Sequence, residues 1–156
     1  MFGLGKVKII PGTFGSLATV IILYILFHPL DISPNLILFG LIIIFIYSFL
    51  AVASHIEKSK NKDPNEIIID EFIGQSIPIY LYEISHGTEK LPNEAIIYYA
   101  ICFILFRFFD IQKPFPVSFF DKKYKNSFGV IMDDVCAGLY VVLSLICFII
   151  LIGYFN

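Results

Sequence analysis

The chain has 156 residues, a length that suits one domain, and 58% of them are hydrophobic against 15% charged, with a mean hydropathy of +0.83. Ordinary globular proteins carry roughly 25% charged residues, so a soluble fold of this size, which could not cover so much apolar side chain, is excluded. A net charge of -2 with one arginine, Arg107, leaves no basic face to neutralise phosphates and excludes a nucleic-acid partner.

In chain order, uncharged apolar stretches run from Phe14 to Leu30, Leu36 to Ser54, Ala95 to Phe106 and Val135 to Phe155. A weaker one, Ile67 to Tyr82, is interrupted by Asp70 and Glu71. A helix crossing a bilayer needs about 17 to 25 apolar residues, which the second and last stretches meet easily and the first narrowly. The two short ones are expected to be tilted, partly buried or re-entrant. Pro11, Gly12 and Thr13 before the first run, with no small-residue cleavage pattern after it, argue against a cleavable signal. Asp63, Pro64 and Glu66 read as N-cap, first helical residue and capping-box acid of a helix running through Asp70 and Glu71. Pro78 is expected to break or kink that helix, and Pro114 and Pro116 to stop the one carrying Arg107 and Asp110. Residues 1–156 thus read as a single all-α, multi-pass membrane domain of four to five hydrophobic helices.

Basic loops stay on the cytoplasmic side of a membrane. With the N-terminus inside, Lys6, Lys8, Lys58, Lys60, Lys62, Arg107, Lys113, Lys122, Lys123 and Lys125 all fall inside, leaving Lys90 alone on the far side. The same topology gathers the unusual polar residues at the cytoplasmic ends of the helices. Ionisable groups at membrane depth cost several kcal/mol unless paired or metal-bound, which makes Asp70, Glu71, Arg107 and Asp110 functional candidates.

Glu66 and Asp70, four apart, would share a helix face, with Glu71 about 100° around. A divalent cation would offset their repulsion, and Mg²⁺ takes one or two carboxylates besides phosphate oxygens and water; an acid serving as a cap, or one paired with Arg107, is the simpler alternative. Arg107, Asp110 and Lys113, spaced by three, could line one helical face, the planar Arg107 clamping two phosphate oxygens and Lys113 supplying a mobile charge. An intrahelical Arg107–Asp110 ion pair is the competing reading. Asp133 and Asp134 precede the last apolar run, where one could complement the helix dipole and at least one bind metal or act as a base. In Pro11-Gly12-Thr13-Phe14-Gly15-Ser16, glycines that let amides approach a ligand and the hydroxyls of Thr13 and Ser16 make an anion site at a helix start, or only an N-cap. His28, His55 and His86 lack partners at ligand spacing, and Cys102, Cys136 and Cys147 read as small buried hydrophobes.

As a set, these residues make the chain resemble the phosphatidylglycerophosphatase A family of bacterial lipid phosphatases. The resemblance spans nearly the whole chain. It runs through Pro11 to Ser16, Asp63-Pro64-Asn65-Glu66 with Asp70-Glu71-Phe72-Ile73-Gly74, Phe106 to Pro114 including Arg107, Asp110 and Lys113, and Gly129 to Gly138 including Asp133 and Asp134. Gln112, where an aromatic residue is expected, and Asn65, where glycine is common, depart from the pattern without removing a charge. The resemblance implies Mg²⁺-dependent removal of the terminal phosphate of phosphatidylglycerophosphate in the bacterial inner membrane, with the active site facing the cytoplasm. The expected machinery has catalytic Asp70, Arg107, Asp110, Lys113 and Asp134, phosphate binding by Thr13, Gly15, Ser16, Arg107 and Lys113, and metal ligands among Glu66, Asp70, Glu71, Asp133 and Asp134. Asp110 could be ligand, base or orienter, and both direct water attack and an aspartyl-phosphate remain open. The rival class is an ion-coupled transporter using membrane carboxylates, whose site would lie near the midplane at a repeat interface; no internal repeat is visible.

Overall fold

The computed structural model describes residues 11–58, 68–86, 92–124 and 126–155. Among these residues the chain forms six helices and no strand: α1 (Pro11–Phe27), α2 (Pro34–Lys58), α3 (Ile69–His86), α4 (Pro92–Gln112), α5 (Val117–Lys123) and α6 (Ser127–Phe155). Pro34, at the first position of α2, has no amide to leave unpaired there, and the Ser33 carbonyl accepts from the amides of Leu36 and Ile37.

The least apolar of the long helices is the central one: α3 packs against α1, α2, α4 and, most extensively, α6. Pro78 sits inside α3 without ending it, which removes the break from the expected break or kink. A proline cannot donate to the carbonyl four residues back, here that of Gly74. That carbonyl instead faces α6, where an ideal Cβ on Gly138 would fall 2.3 Å from it. Reciprocally, a Cβ on Gly74 would fall 2.5 Å from the Asp134 carbonyl oxygen. Two glycines thus let α3 and α6 meet backbone to backbone, a geometry in which Cα–H groups contact carbonyl oxygens. The two helices run side by side from N-terminus to N-terminus, which sets the site described below.

The last apolar helix starts at Ser127 rather than near Val135, so Asp133 and Asp134 lie inside α6 instead of preceding it. Similarly, α3 begins at Ile69, with Ile68 before it non-helical. The Asp63-Pro64-Glu66 cap, including the candidate ligand Glu66, lies outside the described residues. Lys113 also departs from expectation. The last helical residue of α4 is Gln112, and Lys113 turns away with φ 45° while its amide donates to the Phe109 carbonyl at 2.9 Å. It caps the helix in a left-handed conformation and does not continue the face of Arg107 and Asp110.

Among the described residues, two helical stretches, Pro34–Ser54 and Ser127–Tyr154, are long and apolar enough to cross a membrane. Only 17% and 22% of these windows is buried within the protein, so neither is the covered core helix of a soluble fold. Their outward faces carry Phe39, Ile46, Leu50, Phe148 and Ile150. At the end of the bundle away from the first turn of α3, His28 Nε2 approaches Glu83 Oε1 to 3.5 Å, and Tyr99 donates to the same oxygen at 3.0 Å. Of the cysteines only Cys102 is buried; Cys136 is half-buried and Cys147 exposed.

Candidate active site

The crossing of α3 with α6 brings carboxylates from two helices together. Asp70 and Glu71 occupy the first turn of α3, where negative charge meets the positive end of the helix dipole. Asp70 is four residues before Gly74, and Asp134 four before Gly138. In parallel helices in contact at the two glycines, that spacing puts both aspartates one turn above the contact, on the facing sides. One oxygen each of Asp70, Glu71 and Asp134 lies within 4.8 Å of the others. Asp70 and Asp134 are 7% and 4% exposed, too little for water to screen them.

Burial is the main force that pushes the Asp70 and Glu71 carboxyls above the usual carboxylate range; the neighbouring Glu71 raises Asp70 further, whereas the hydrogen bond to Asp70 partly offsets the rise at Glu71. Both residues precede the apolar part of α3 and stand outside the two candidate spans. Glu71 Oε2 is buried without a hydrogen-bond partner, although such an atom normally has one.

A basic flank comes from the end of α4. Arg107 Nη1 donates to Asp110 Oδ2 within the helix, with both side chains mostly covered; Arg107 Nε is buried and unpartnered. The guanidinium lies against the first described turn of α1, where an ideal Cβ on Gly12 would stand 3.0 Å from Nη1, 3.4 Å from Nη2 and 2.6 Å from Glu71 Oε1. A side chain at position 12 would fill the space between Arg107 and Glu71. Lys113 Nζ donates to Asp133 Oδ2 at 3.0 Å, while Asp133 Oδ1 accepts the Asp134 amide at 3.0 Å.

The residues expected from sequence therefore separate. Asp70, Glu71 and Asp134 converge, with Arg107 and Asp110 beside Glu71, while Asp133 stands next to the cluster and also accepts from Lys113. Thr13 is half-buried in the first turn of α1; Gly15 packs on Ile68, where a Cβ would lie 3.1 Å from Ile68 Cβ. Ser16 is fully buried and its hydroxyl donates to the Gly12 carbonyl at 2.9 Å, which ties the side chain to its own helix. Gly12, Gly74 and Gly138 position the site, a role that residue chemistry alone did not assign. The repeated Asp-x-x-x-Gly spacing, at Asp70 to Gly74 and Asp134 to Gly138, was the available signal.

Comparison with known proteins meets this arrangement from another side. A sequence model of the family described as PgpA, phosphatidylglycerophosphatase A, matches residues 1–149. The chain belongs to the phosphatidylglycerophosphatase A family. A protein of Haemophilus influenzae named phosphatidylglycerophosphatase A is 35% identical over 142 residues, covering 91% of this chain and 80% of the relative. One of the same name from Escherichia coli is 32% identical over 139 residues, covering 88% and 73%. A Bacteroides thetaiotaomicron protein, provisionally named a phosphatidylinositol-3-phosphatase, is 33% identical over 141 residues, covering 89% and 83%. No solved structure matches the chain. As a phosphatidylglycerophosphatase A family member the protein is an enzyme, a lipid phosphatase, and the polar cluster at the α3–α6 crossing is its candidate active site.

Proposed function

We propose that the protein hydrolyses the terminal phosphate monoester of phosphatidylglycerophosphate in a Mg²⁺-dependent reaction at the cytoplasmic face of a bacterial inner membrane. The observation that carries this reading is the convergence of Asp70, Glu71 and Asp134 within 4.8 Å, beside the Arg107 guanidinium. Five carboxylates, those of Asp70, Glu71, Asp110, Asp133 and Asp134, face two cations, Arg107 and Lys113. Fully ionised, such a set would repel a phosphate dianion. The donors suit a hard divalent cation: all are carboxylate oxygens, three lie within reach of one ion, and the unpartnered Glu71 Oε2 offers a further ligand. Asp70, Glu71 and Asp134 would hold Mg²⁺, which when bound supplies positive charge to a phosphoryl oxygen and acidifies water.

The chain's own residues do the rest. Arg107, oriented by Asp110, binds phosphoryl oxygens through its planar fork beside the start of α1, where the helix dipole favours the same charge. Lys113, steadied by Asp133, adds a second cation at the end of α4. As negative charge moves from the phosphoryl group to the departing headgroup oxygen, these fixed cations offset it without reorganising. Asp110 and Asp133 act as positioning residues, each holding a cation through a direct hydrogen bond.

The membrane arrangement follows from the same elements. Beyond Asp70 and Glu71, helix α3 continues through Pro78 from Phe72 to His86, about 22 Å of rise, which favours a tilted crossing over a re-entrant dip and leaves both carboxylates at its cytoplasmic edge. With α1, α2, α4 and α6 also crossing, the N-termini of α3 and α6 and the C-terminus of α4 share the lysine-rich side.

The name of the Bacteroides relative supports a second reading, in which the phosphate leaves a phosphorylated inositol lipid. Both can be assayed with purified protein in mixed micelles, following phosphate release from phosphatidylglycerophosphate and from phosphatidylinositol 3-phosphate, with Mg²⁺ and with chelator. The expected result is Mg²⁺-dependent release from the first lipid at the higher kcat/KM. Faster release from the inositol lipid would install the second reading, and release unaffected by chelation would remove the metal.

A further inference from the structure

We propose that the groove between α2, α3 and α6 seats an acyl chain of the lipid substrate and so orients its headgroup toward the carboxylates; this rests on the phosphatidyl-phosphate reading above. The groove has a volume of about 400 Å³ and is walled by Leu38 and Ile42 of α2, floored by Ile73 and Ser76 of α3, and closed on the α6 side by Val135. Its lining is almost wholly apolar; of the two hydroxyl-bearing residues in it, Ser76 and Tyr80, Ser76 is already committed to the Ile73 carbonyl at 2.8 Å.

Continuity with the candidate site identifies the occupant. Ile73 stands three residues past Asp70, about one helical turn, and Val135 directly follows Asp134. From Ile73 the groove follows α3 as far as Leu81, about 12 Å of helix rise. An apolar chain lying there starts beside the polar cluster and runs into the bundle along α3. The floor is covered, with Ile73 and Ser76 at 5% and 3% exposure, while the rim residues Leu38 and Ile42 are open at 39% and 48%. Such a groove admits a chain sideways from the bilayer. Because bilayer hydrocarbon is as apolar as the groove, its contribution comes from fit and not from dehydration.

A second groove, of about 280 Å³ between α1 and α4 and lined by Leu17, Ile21, Ile96 and Phe103 among others, serves as the internal control. The chain contains no Trp, so a single introduced indole is both a plug and a reporter. Ile42→Trp and Ile21→Trp are each made in the full chain and assayed in mixed micelles with long-chain and short-chain phosphatidylglycerophosphate.

Ile42→Trp should raise KM for the long-chain lipid about tenfold, the low end of what a methylene-sized misfit does in an apolar pocket. It should leave kcat/KM for the short-chain lipid within about twofold of wild type, since only interactions made with the longer chain are lost. Ile21→Trp should shift neither. Substrate carrying a brominated acyl chain, diluted in unbrominated lipid, should quench the Ile42→Trp indole saturably, whereas a brominated phospholipid lacking the terminal phosphate should not.

Equal effects of the two substitutions, or quenching that follows total bromine content alone, would overturn the proposal in favour of general lipid solvation. An Ile42→Trp protein with unchanged kinetics but altered oligomeric state would overturn it in favour of a second copy of this chain covering the groove. If the wild-type protein releases phosphate from neither chain length, it is the substrate reading that fails, and the two failures are told apart.

Discussion

Adding one methyl group at the helix crossing should separate folding from catalysis in a measurable way. In Gly138→Ala the new Cβ would lie 2.3 Å from the Gly74 carbonyl oxygen, and in Gly74→Ala it would lie 2.5 Å from that of Asp134, where ordinary contact begins at 3.4 Å. Both obstacles are backbone atoms, so no rotamer change relieves them. Helices α3 and α6 must part by about 1 Å, an overpacking that costs about 1–3 kcal/mol. The same displacement moves Asp134 away from Asp70. Misplacement of about 1 Å can cost roughly a hundredfold in rate, and metal ligands tolerate about 0.2 Å. Phosphate release by either variant, measured beside thermal unfolding in detergent, should fall about a hundredfold in kcat in protein that remains helical and folded. Gly40→Ala and Gly153→Ala, whose added Cβ atoms meet nothing within 4 Å, should retain activity. A folded Gly138→Ala protein with wild-type kcat would refute the reasoning that the glycine contact sets the carboxylate geometry.

Other consequences can be read with the same preparations. Arg107→Lys keeps the charge but loses the planar fork, so kcat/KM should fall about tenfold to a hundredfold, with Arg107→Gln lower still; equal rates for Lys and Arg would show that a point charge suffices. Gln75 is fully buried in α3, with neither its amide nitrogen nor its oxygen hydrogen-bonded. Gln75→Met should therefore stabilise the protein by about 1 kcal/mol without lowering kcat, and a loss of activity would instead place Gln75 in the machinery. The raised Asp70 and Glu71 values fix the sign of a pH effect. A carboxyl whose folded value lies above its unfolded one contributes stability that is fully present below the unfolded value, about 4, and is lost as pH rises through the folded value. Chelated protein should therefore melt at lower temperature as pH rises over that interval, and Mg²⁺ should restore the loss; a pH-independent melting curve in chelator would contradict the burial of these charges.

Much of the helical frame was legible because its signals are local: uninterrupted apolar runs mark α1, α2 and the later part of α6, and clustered charges mark the connections. What was misread depended on tertiary context. Pro78 left a break and a kink open because its lost hydrogen bond is visible in sequence, whereas the glycine of α6 that approaches the freed Gly74 carbonyl in the continuous helix is not. Sequence left open which of Asp133 and Asp134 takes which part, since adjacency says nothing about which side of a helix faces a partner; Asp134 joins the carboxylate cluster, and Asp133, beside it, also accepts from Lys113. Lys113 fitted a helical spacing from Arg107 and Asp110, but Pro114 disfavours helical geometry in the residue before it, and Lys113 leaves the helix. His28 and Glu83 are far apart in sequence, and their pairing at the opposite end of α1 and α3 has no spacing that would announce it. The candidate site was more legible than these details because buried charge in an apolar chain is rare for an energetic reason.

A divalent cation held by side chains from both α3 and α6 is the central requirement of the proposed chemistry. Titration of Mn²⁺, as a paramagnetic stand-in for Mg²⁺, into detergent-solubilised protein can be followed by electron paramagnetic resonance without any turnover. Wild-type protein should bind Mn²⁺ in competition with Mg²⁺, and Asp70→Asn and Asp134→Asn should each weaken that binding about a hundredfold or more, beyond the tenfold to hundredfold typical of outer-sphere partners. Undiminished Mn²⁺ affinity in both variants would place the cation elsewhere and contradict the assignment.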